Sequence, residues 1–252
     1  ATVVMVCRNL KRGEAALAEI KQKSGNGSVK LMIADLSSMD SIRQFAADFK
    51  AKYQKLHVLV NNAGVHLAER IVTVDGYECT FATNHLAYFL LTNLLLDVIK
   101  ASAPARIINV SSDAHGLAKI YFDDLQLENN FDGFTAYSQS KLANILFTYE
   151  LARRLEGTGV TANVVHPGMV RTNLGRYSKN VRRVMEEAGE SLLTSEEGAA
   201  TQIWLATSPE VENVTGKYFD NKEVVKSSRK SYNQDLQQRL WEVSEKLTGL
   251  VT

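Results

Sequence analysis

Proline is scarce, with three in 252 residues, and Pro104 and Pro167 both fall between segments of regular hydrophobic pattern, where a residue without an N–H does least harm. No linker, repeat or low-complexity tract divides the chain, so a single domain is expected. Cysteine is scarcer still: Cys7 and Cys79 are too few and too far apart for a disulfide framework or a zinc set. Thiols at apolar positions are usually inert, and a reducing, cytoplasmic compartment is the expectation. An excess of one charge is also missing. Twenty-nine basic against 28 acidic residues leave a net charge of +1, without a basic block or an aromatic-basic alternation, which argues against a nucleic-acid partner or an anionic membrane surface. The longest apolar stretch, Tyr88–Asp97, is interrupted by Thr92 and Asn93 and is too short to span a bilayer. Small neutral or amphipathic ligands remain.

What is present is a change of hydrophobic period, repeated along the chain. Short β-branched runs predict strands at Thr2–Cys7, Val29–Ala34, Val58–Asn61, Arg106–Ser111 and Thr161–His166. Between them, longer amphipathic runs predict helices near Arg12–Lys23, Met39–Tyr53, Tyr77–Ala101 and Ala136–Arg154, with a terminal one at Gln234–Leu250. This alternation is the pattern of a parallel sheet covered on both faces, so the expected fold class is α/β, a doubly wound Rossmann-type sheet in one domain over residues 1–252. Thr2–Cys7, Val58–Val60 and Ile107–Val110 are nearly all apolar, as strands buried on both faces should be.

Ligands of open parallel sheets sit at the carboxyl ends of the strands. Strand Val58–Val60 runs into Asn61-Asn62-Ala63-Gly64, where small residues let a ligand approach the backbone and an asparagine can brace the next strand; alone, it reads equally as an Asn/Gly turn. Strand Ile107–Val110 ends in Ser111-Ser112, a hydroxyl at the crevice or a serine bound to its own backbone. Strand Thr161–Val165 ends in His166-Pro167-Gly168-Met169-Val170-Arg171-Thr172, a rigid turn presenting backbone groups and Thr172. Tyr137 and Lys141 stand one helical turn apart in Ala136-Tyr137-Ser138-Gln139-Ser140-Lys141. A phenol with a pKa of about 10 is a poor acid at neutral pH, and a fixed cation nearby brings proton exchange within reach. The plainer alternative is an amphipathic helix with a solvated lysine.

Taken in order on one sheet, Asn-Asn-Ala-Gly, Ser-Ser, Tyr-x-x-x-Lys and Pro-Gly resemble the short-chain dehydrogenase/reductase family over essentially the whole chain. Ala105–Ser112, Ala136–Asn144 and Gly216-Lys217-Tyr218-Phe219 look most like its retinol dehydrogenase-like branch. The resemblance implies an enzyme that interconverts an alcohol and a carbonyl with a nicotinamide cofactor. Tyr137 would be the general acid/base, and Lys141 would lower its pKa and hold the nicotinamide ribose. Ser112, the second serine of the pair, would hold the substrate oxygen. Asn84, in Ala82-Thr83-Asn84-His85-Leu86, matches the asparagine that links the lysine to a water relay; the alternative is a helix-surface asparagine. The implied cofactor-binding set is Arg8, Asn9, Asp35, Leu36, Asn62, Ala63, Gly64, Tyr137, Lys141, Pro167, Gly168, Val170 and Thr172. Asp35 is also suited to cap the following helix. Ala87-Tyr88 stands where the branch usually has Gly-His, so packing beside Asn84 is expected to differ.

An acid at the end of the ribose-binding strand selects NAD(H), and an arginine there suits a 2′-phosphate. Arg8-Asn9 follows Thr2–Cys7 with no acid, so NADP(H) is favoured over NAD(H), with Lys11 or Arg12 in support. A dinucleotide fold also needs a glycine-rich turn after its first strand. Ser24-Gly25-Asn26-Gly27-Ser28 lies between a helix and a strand, the wrong context. The numbered chain therefore aligns from the second strand of such a fold, and the expectation is that a first strand and its glycine turn precede residue 1, leaving a membrane anchor there open as well. If they do not, the alternative function is a non-catalytic, dehydrogenase-like fragment or cofactor scaffold. Met169–Ser195 is expected to cover a small apolar carbonyl or alcohol substrate with Leu174, Tyr177, Val181, Val184, Met185, Leu192 and Leu193, although Val181–Met185 equally suits a helix packed on the core. Homo-oligomers are common in the family.

Overall fold

The computed structural model describes residues 1–250. Its β-branched runs form two parallel arrays. Strand β1 (Val3–Cys7) pairs with β2 (Val29–Ile33), Val3 opposite Val29. Strands β3 (Val58–Asn61), β4 (Ala105–Val110), β5 (Val160–His166) and β6 (Tyr218–Asp220) follow in parallel, and β7 (Glu223–Val225) closes the edge antiparallel to β6. Among the described residues β1 and β3 are not hydrogen-bonded to each other, so each presents a free edge. Both nevertheless rest on one core: Val4, Met32 and Leu59 pack on a cluster that includes Phe45, Phe49, Phe89, Phe147 and Trp241.

Those free edges correct one expectation. Val3, Val6 and Val60 are 46%, 38% and 41% exposed, whereas Ile107 and Ile108 in the interior strand β4 are sealed. Apolar runs reported strands correctly, but burial on both faces requires neighbours that β1 and β3 lack on one side.

Helix α1 (Leu10–Ser24) starts at the Asn9 cap and stops at Gly25, whose φ of 65° is the left-handed conformation glycine adopts without strain. Helix α2 (Met39–Lys52) is capped by Ser38 rather than Asp35. The single helix expected across Tyr77–Ala101 is broken into α3 (Cys79–Phe81), a π-helical turn (Ala82–Leu86), α4 (Ala87–Leu94) and α5 (Leu96–Ala101). Buried Glu78 caps its start by accepting from the Thr80 and Phe81 amides. Helix α6 (Gly133–Arg154), capped by Asp132, lies almost wholly buried against β4 and β5. In α7 (Lys179–Ala188) Val181, Met185 and Ala188 are partly buried, the other residues are exposed and none is buried, so this helix covers the molecule rather than joining the core. Helix α8 (Ser195–Thr207), which opens with a Thr194/Glu197 capping box, was not anticipated, and α9 (Gln234–Thr248) is, with Leu240 and Trp241 buried.

Candidate active site

The strand ends and α6 converge on Tyr137. At the end of β3, the Asn61 side-chain amide donates to Asn109 Oδ1 at 2.8 Å and to Thr92 Oγ1 at 3.0 Å, bracing β4. That leaves Asn62, Ala63 and Gly64 exposed at the crevice. A Cβ on Gly64 would stand 3.4 Å from Asn84 Oδ1 and 3.5 Å from Lys141 Nζ, so the glycine keeps open the space beside both.

Asn84 is fully buried: the π-helical turn points it inward, where Oδ1 accepts from the Val65 amide (2.8 Å) and Nδ2 donates to the Val65 carbonyl (3.0 Å) and Ser140 Oγ (2.9 Å). It is not a helix-surface residue. The two serines after β4 divide their work. Ser111 is buried and donates to the Lys141 carbonyl at 2.8 Å, whereas half-buried Ser112 caps the Asp113–Leu117 turn and faces Tyr137.

Lys141 is 3% exposed; its Nζ donates to the Val110 carbonyl at 3.2 Å and lies 5.4 Å from the centre of the Tyr137 ring. Burial pushes this ammonium down to about 8. The Tyr137 phenol moves up from its ordinary value, by burial first, with the Ser112 hydrogen bond pulling the other way. The lowering by Lys141 expected from the sequence is not among the influences on this phenol, and the cost of removing a phenolate from water exceeds what Ser112 returns. At neutral pH the pair is a protonated phenol beside an ammonium.

The residues at the ends of β1 and β2 form another part of the crevice. Arg8 is exposed, and the Asn9 side chain is occupied in accepting from the Arg12 amide at 3.0 Å. Asp35 accepts from the Ser37 amide and hydroxyl at 3.0 and 2.6 Å, and Leu36 packs on the core. Burial is the largest influence on the Cys79 thiol and pushes it up, and a hydrogen bond with Arg176 is the largest on the Tyr177 phenol and pulls it down. After β5, Pro167 leads into Gly168, whose φ of 79° and 2.6 Å approach of Leu193 Cδ1 to any added Cβ both demand glycine. Val170 bridges to Leu193, and Thr172 caps the Asn173–Arg176 turn.

Several site residues were not singled out from the sequence. Tyr88 is buried and donates its hydroxyl to the Ala63 carbonyl at 2.8 Å, fixing the Asn-Asn-Ala-Gly turn. His66 packs its ring 5.1 Å from that of Tyr137. Asn144 joins Lys141 on the Val110 carbonyl at 3.1 Å. The departure at Ala87-Tyr88 was the one available signal for the first; His66 and Asn144 carry none without the fold.

A nicotinamide ribose fits this geometry. Lys141 has spent one of its three N–H donors, and the unfilled side of Gly64 lies directly beside it. The arrangement of hydroxyl, phenol and ammonium at the carboxyl edge of a doubly wound sheet defines an alcohol/carbonyl oxidoreductase that uses a nicotinamide cofactor.

The chain belongs to the short-chain dehydrogenase family, whose model matches residues 1–182. It falls in the retinol dehydrogenase-like branch: it is 44% identical to human retinol dehydrogenase 12 over 250 residues, covering 99% of this chain and 79% of that protein. It is likewise 44% identical to human polyprenol dehydrogenase, covering 99% of this chain and 78% of the relative. Among solved structures, an uncharacterised protein from Mycobacterium paratuberculosis superposes with a TM-score of 0.79 at 33% identity, covering 99% of this chain and 84% of that one. Pseudomonas aeruginosa RhlG, solved with NADP at its active site, gives 0.67 at 27% identity, covering 87% of this chain and 84% of that chain. Nothing among these relatives supports the non-catalytic alternative. Among the described residues no helix is long and apolar enough to cross a membrane.

Proposed function

We propose that the protein is an NADP(H)-dependent oxidoreductase of a small apolar alcohol/carbonyl pair, with Tyr137 as general acid/base. The observation that carries this reading is the convergence of Ser112, Tyr137, Lys141 and Asn84 at the ends of β3 and β4. When bound, the nicotinamide supplies or accepts hydride. Asn62, Ala63, Gly64 and Lys141 would hold its ribose side, with Pro167, Gly168, Val170 and Thr172 opposite, and Asp35 and Leu36 beside the adenine.

In the reducing direction Ser112 Oγ donates to the carbonyl oxygen as charge develops there, and the Tyr137 hydroxyl, kept protonated by its raised pKa, delivers the proton. Lys141 stabilises the phenolate that results. Asn84 is held by Val65 and Ser140 next to the Lys141 ammonium, where it orders the path by which the proton is replaced. In the oxidising direction the phenol must first lose its proton, so oxidation should rise with pH where reduction does not. Arg8 at the end of β1, with Arg12 nearby and no acid following the strand, supports a 2′-phosphate and hence NADP(H). The apolar stripe of α7 and the retinol and polyprenol in the names of its relatives support an apolar substrate.

The test is carbonyl reduction by the full-length protein with NADPH and NADH. Tyr137→Phe should lower kcat by at least about 100-fold, and Arg8→Asp should lower the NADPH/NADH preference by at least about tenfold. A Tyr137→Phe enzyme of undiminished kcat refutes the assignment of the acid, and an unchanged preference refutes that of Arg8.

A further inference from the structure

The turn after β4 contains an imidazole whose two nitrogens are both engaged by backbone. His115 is 6% exposed. Its Nδ1 lies 2.7 Å from the Ser112 carbonyl oxygen, and its Nε2 lies 3.0 Å from the Ser228 amide nitrogen. A carbonyl only accepts and an amide N–H only donates, so both bonds exist together in one state of the ring: neutral, with the proton on Nδ1. The ring packs on Tyr218 with centroids 5.0 Å apart. Ser228 belongs to the segment after β7, which is fastened in turn by Ser231 Oγ donating to the Ser228 carbonyl (2.6 Å) and Lys230 Nζ donating to the Ala118 carbonyl (2.9 Å).

We propose that His115 is a positioning residue for Ser112: the neutral imidazole ties the Ser112 carbonyl to the segment after β7 and thereby holds the Ser112 hydroxyl at the reacting carbonyl oxygen. The proposal rests on Ser112 as the donor to that oxygen. Ser112 stands two residues beyond Val110, the last paired residue of β4, in extended backbone that no strand ladder holds. Its placement therefore depends on tethers. Beyond the bonds within its own turn there are two: the Asp113 carboxylate, which accepts from the Tyr218 hydroxyl at 3.2 Å and lies 3.1 Å from His166 Nε2, and the His115 imidazole.

The groups facing His115 are Asp113 on its own turn, His166 at the end of β5 and Tyr218 on β6. Burial is the largest influence and lowers its pKa, the Ser112 carbonyl and Asp113 raise it, and His166 adds to the lowering. The ring is thus neutral at pH 7. Acidification puts a second proton on Nε2 against the Ser228 N–H and breaks the tether. Positioning is complete above the His115 pKa and lost below it.

The experiment measures kcat, KM for NADPH and the kcat–pH profile of carbonyl reduction by the full-length protein, with folding followed by circular dichroism. Asparagine retains a donor where Nδ1–H stood but has no titrating group. Glutamine retains an acceptor where Nε2 stood and loses the donor to Ser112. His115→Gln should lower kcat about 10- to 100-fold at unchanged KM for NADPH. His115→Asn breaks the Ser228 end of the same tether, so it should lower kcat to a similar degree at unchanged KM for NADPH and lose the acid limb that the wild type shows. A fully active His115→Gln or His115→Asn enzyme, or an acid limb that persists in His115→Asn, overturns the proposal. So does a wild-type kcat that stays flat while the His115 imidazole titrates, followed by NMR on the intact fold, a measurement that needs no variant. Ser112→Ala separates the two readings: if it is fully active, the role of Ser112 itself fails, whereas an inactive Ser112→Ala beside an active His115→Gln refutes only the positioning role.

Discussion

Lys141→Met should make the folded protein more stable while disabling it. Lys141 is 3% exposed, and burial pushes its ammonium from 10.5 to about 8. At about 1.4 kcal/mol per pH unit, keeping that side chain charged in the folded state at pH 7 costs roughly 3 kcal/mol. Methionine has a similar length and no charge to desolvate. The substitution orphans no acceptor, because the Val110 carbonyl keeps the Asn144 amide at 3.1 Å. Allowing for the lost charged hydrogen bond, the net gain should be about 1–3 kcal/mol, or about 2–12 °C in Tm for a chain of this size. The sign follows from linkage. The unfolded chain keeps the proton up to 10.5 and the folded one only to about 8, so between those values folding releases a proton and wild-type stability rises with pH. The advantage of the variant should therefore be full below pH 8 and vanish above about pH 10.5. Thermal melts of both proteins from about pH 7 to 10.5, with kcat measured alongside, decide it. Carbonyl reduction should fall at least about 100-fold. A variant that melts lower at pH 7, or a gap independent of pH, would refute the claim that Lys141 is held charged at the expense of stability.

Two further substitutions test the space around the same pair. Gly64→Ala adds a methyl in ordinary contact with Asn84 Oδ1 (3.4 Å) and Lys141 Nζ (3.5 Å). Stability should change by less than about 1 kcal/mol, while NADPH affinity, read by fluorescence titration, should fall about tenfold or more because the space beside Lys141 is filled. Unaltered affinity would show that the ribose lies elsewhere. Gly133→Ala places a Cβ 2.2 Å from the Leu67 carbonyl oxygen, backbone against backbone at the start of α6. It should cost about 2–4 kcal/mol in urea unfolding and raise KM for the carbonyl by moving His66 relative to Tyr137; an unshifted midpoint would show that the contact yields.

The chemistry of the site was legible in the sequence because it is written at element ends. Tyr137 and Lys141 share a helical face wherever α6 packs, and the Asn-Asn-Ala-Gly and Ser-Ser ends follow strands whose apolar character is unmistakable. Sequence could not say that Ser111 turns inward to the Lys141 carbonyl while Ser112 faces Tyr137, since strand alternation fixes opposite faces but not which face is the crevice. It missed the break between Tyr77 and Ala101 because a π-helical turn leaves the apolar pattern intact while rotating Asn84 into the core. It misjudged Val3, Val6 and Val60, since hydrophobicity reports what a strand is suited to rather than which neighbours it has. Contacts between residues far apart in the chain, such as Tyr88 with Ala63 or His115 with Ser228, carry no local signature.

The accuracy of the site depends on a chain of buried amides and hydroxyls beneath it. Asn61 donates to Asn109 Oδ1 (2.8 Å), Asn109 donates to Thr148 Oγ1 (2.9 Å), and Thr148 donates to the Asn144 carbonyl (2.6 Å). All four residues are buried. Apolar packing alone would tolerate a small slide or rotation of α6 over the sheet, because one Leu or Ile contact can replace another at little cost. A polar chain cannot slide, since each unmet group would cost about 1–3 kcal/mol. It therefore fixes the register of α6 against β3 and β4. Tyr137 and Lys141 lie two turns and one turn up the same helix from Asn144, so the constraint that positions Asn144 also positions them. The stability that Lys141 consumes is spent on a charge, and the ladder below is what keeps that charge beside the phenol.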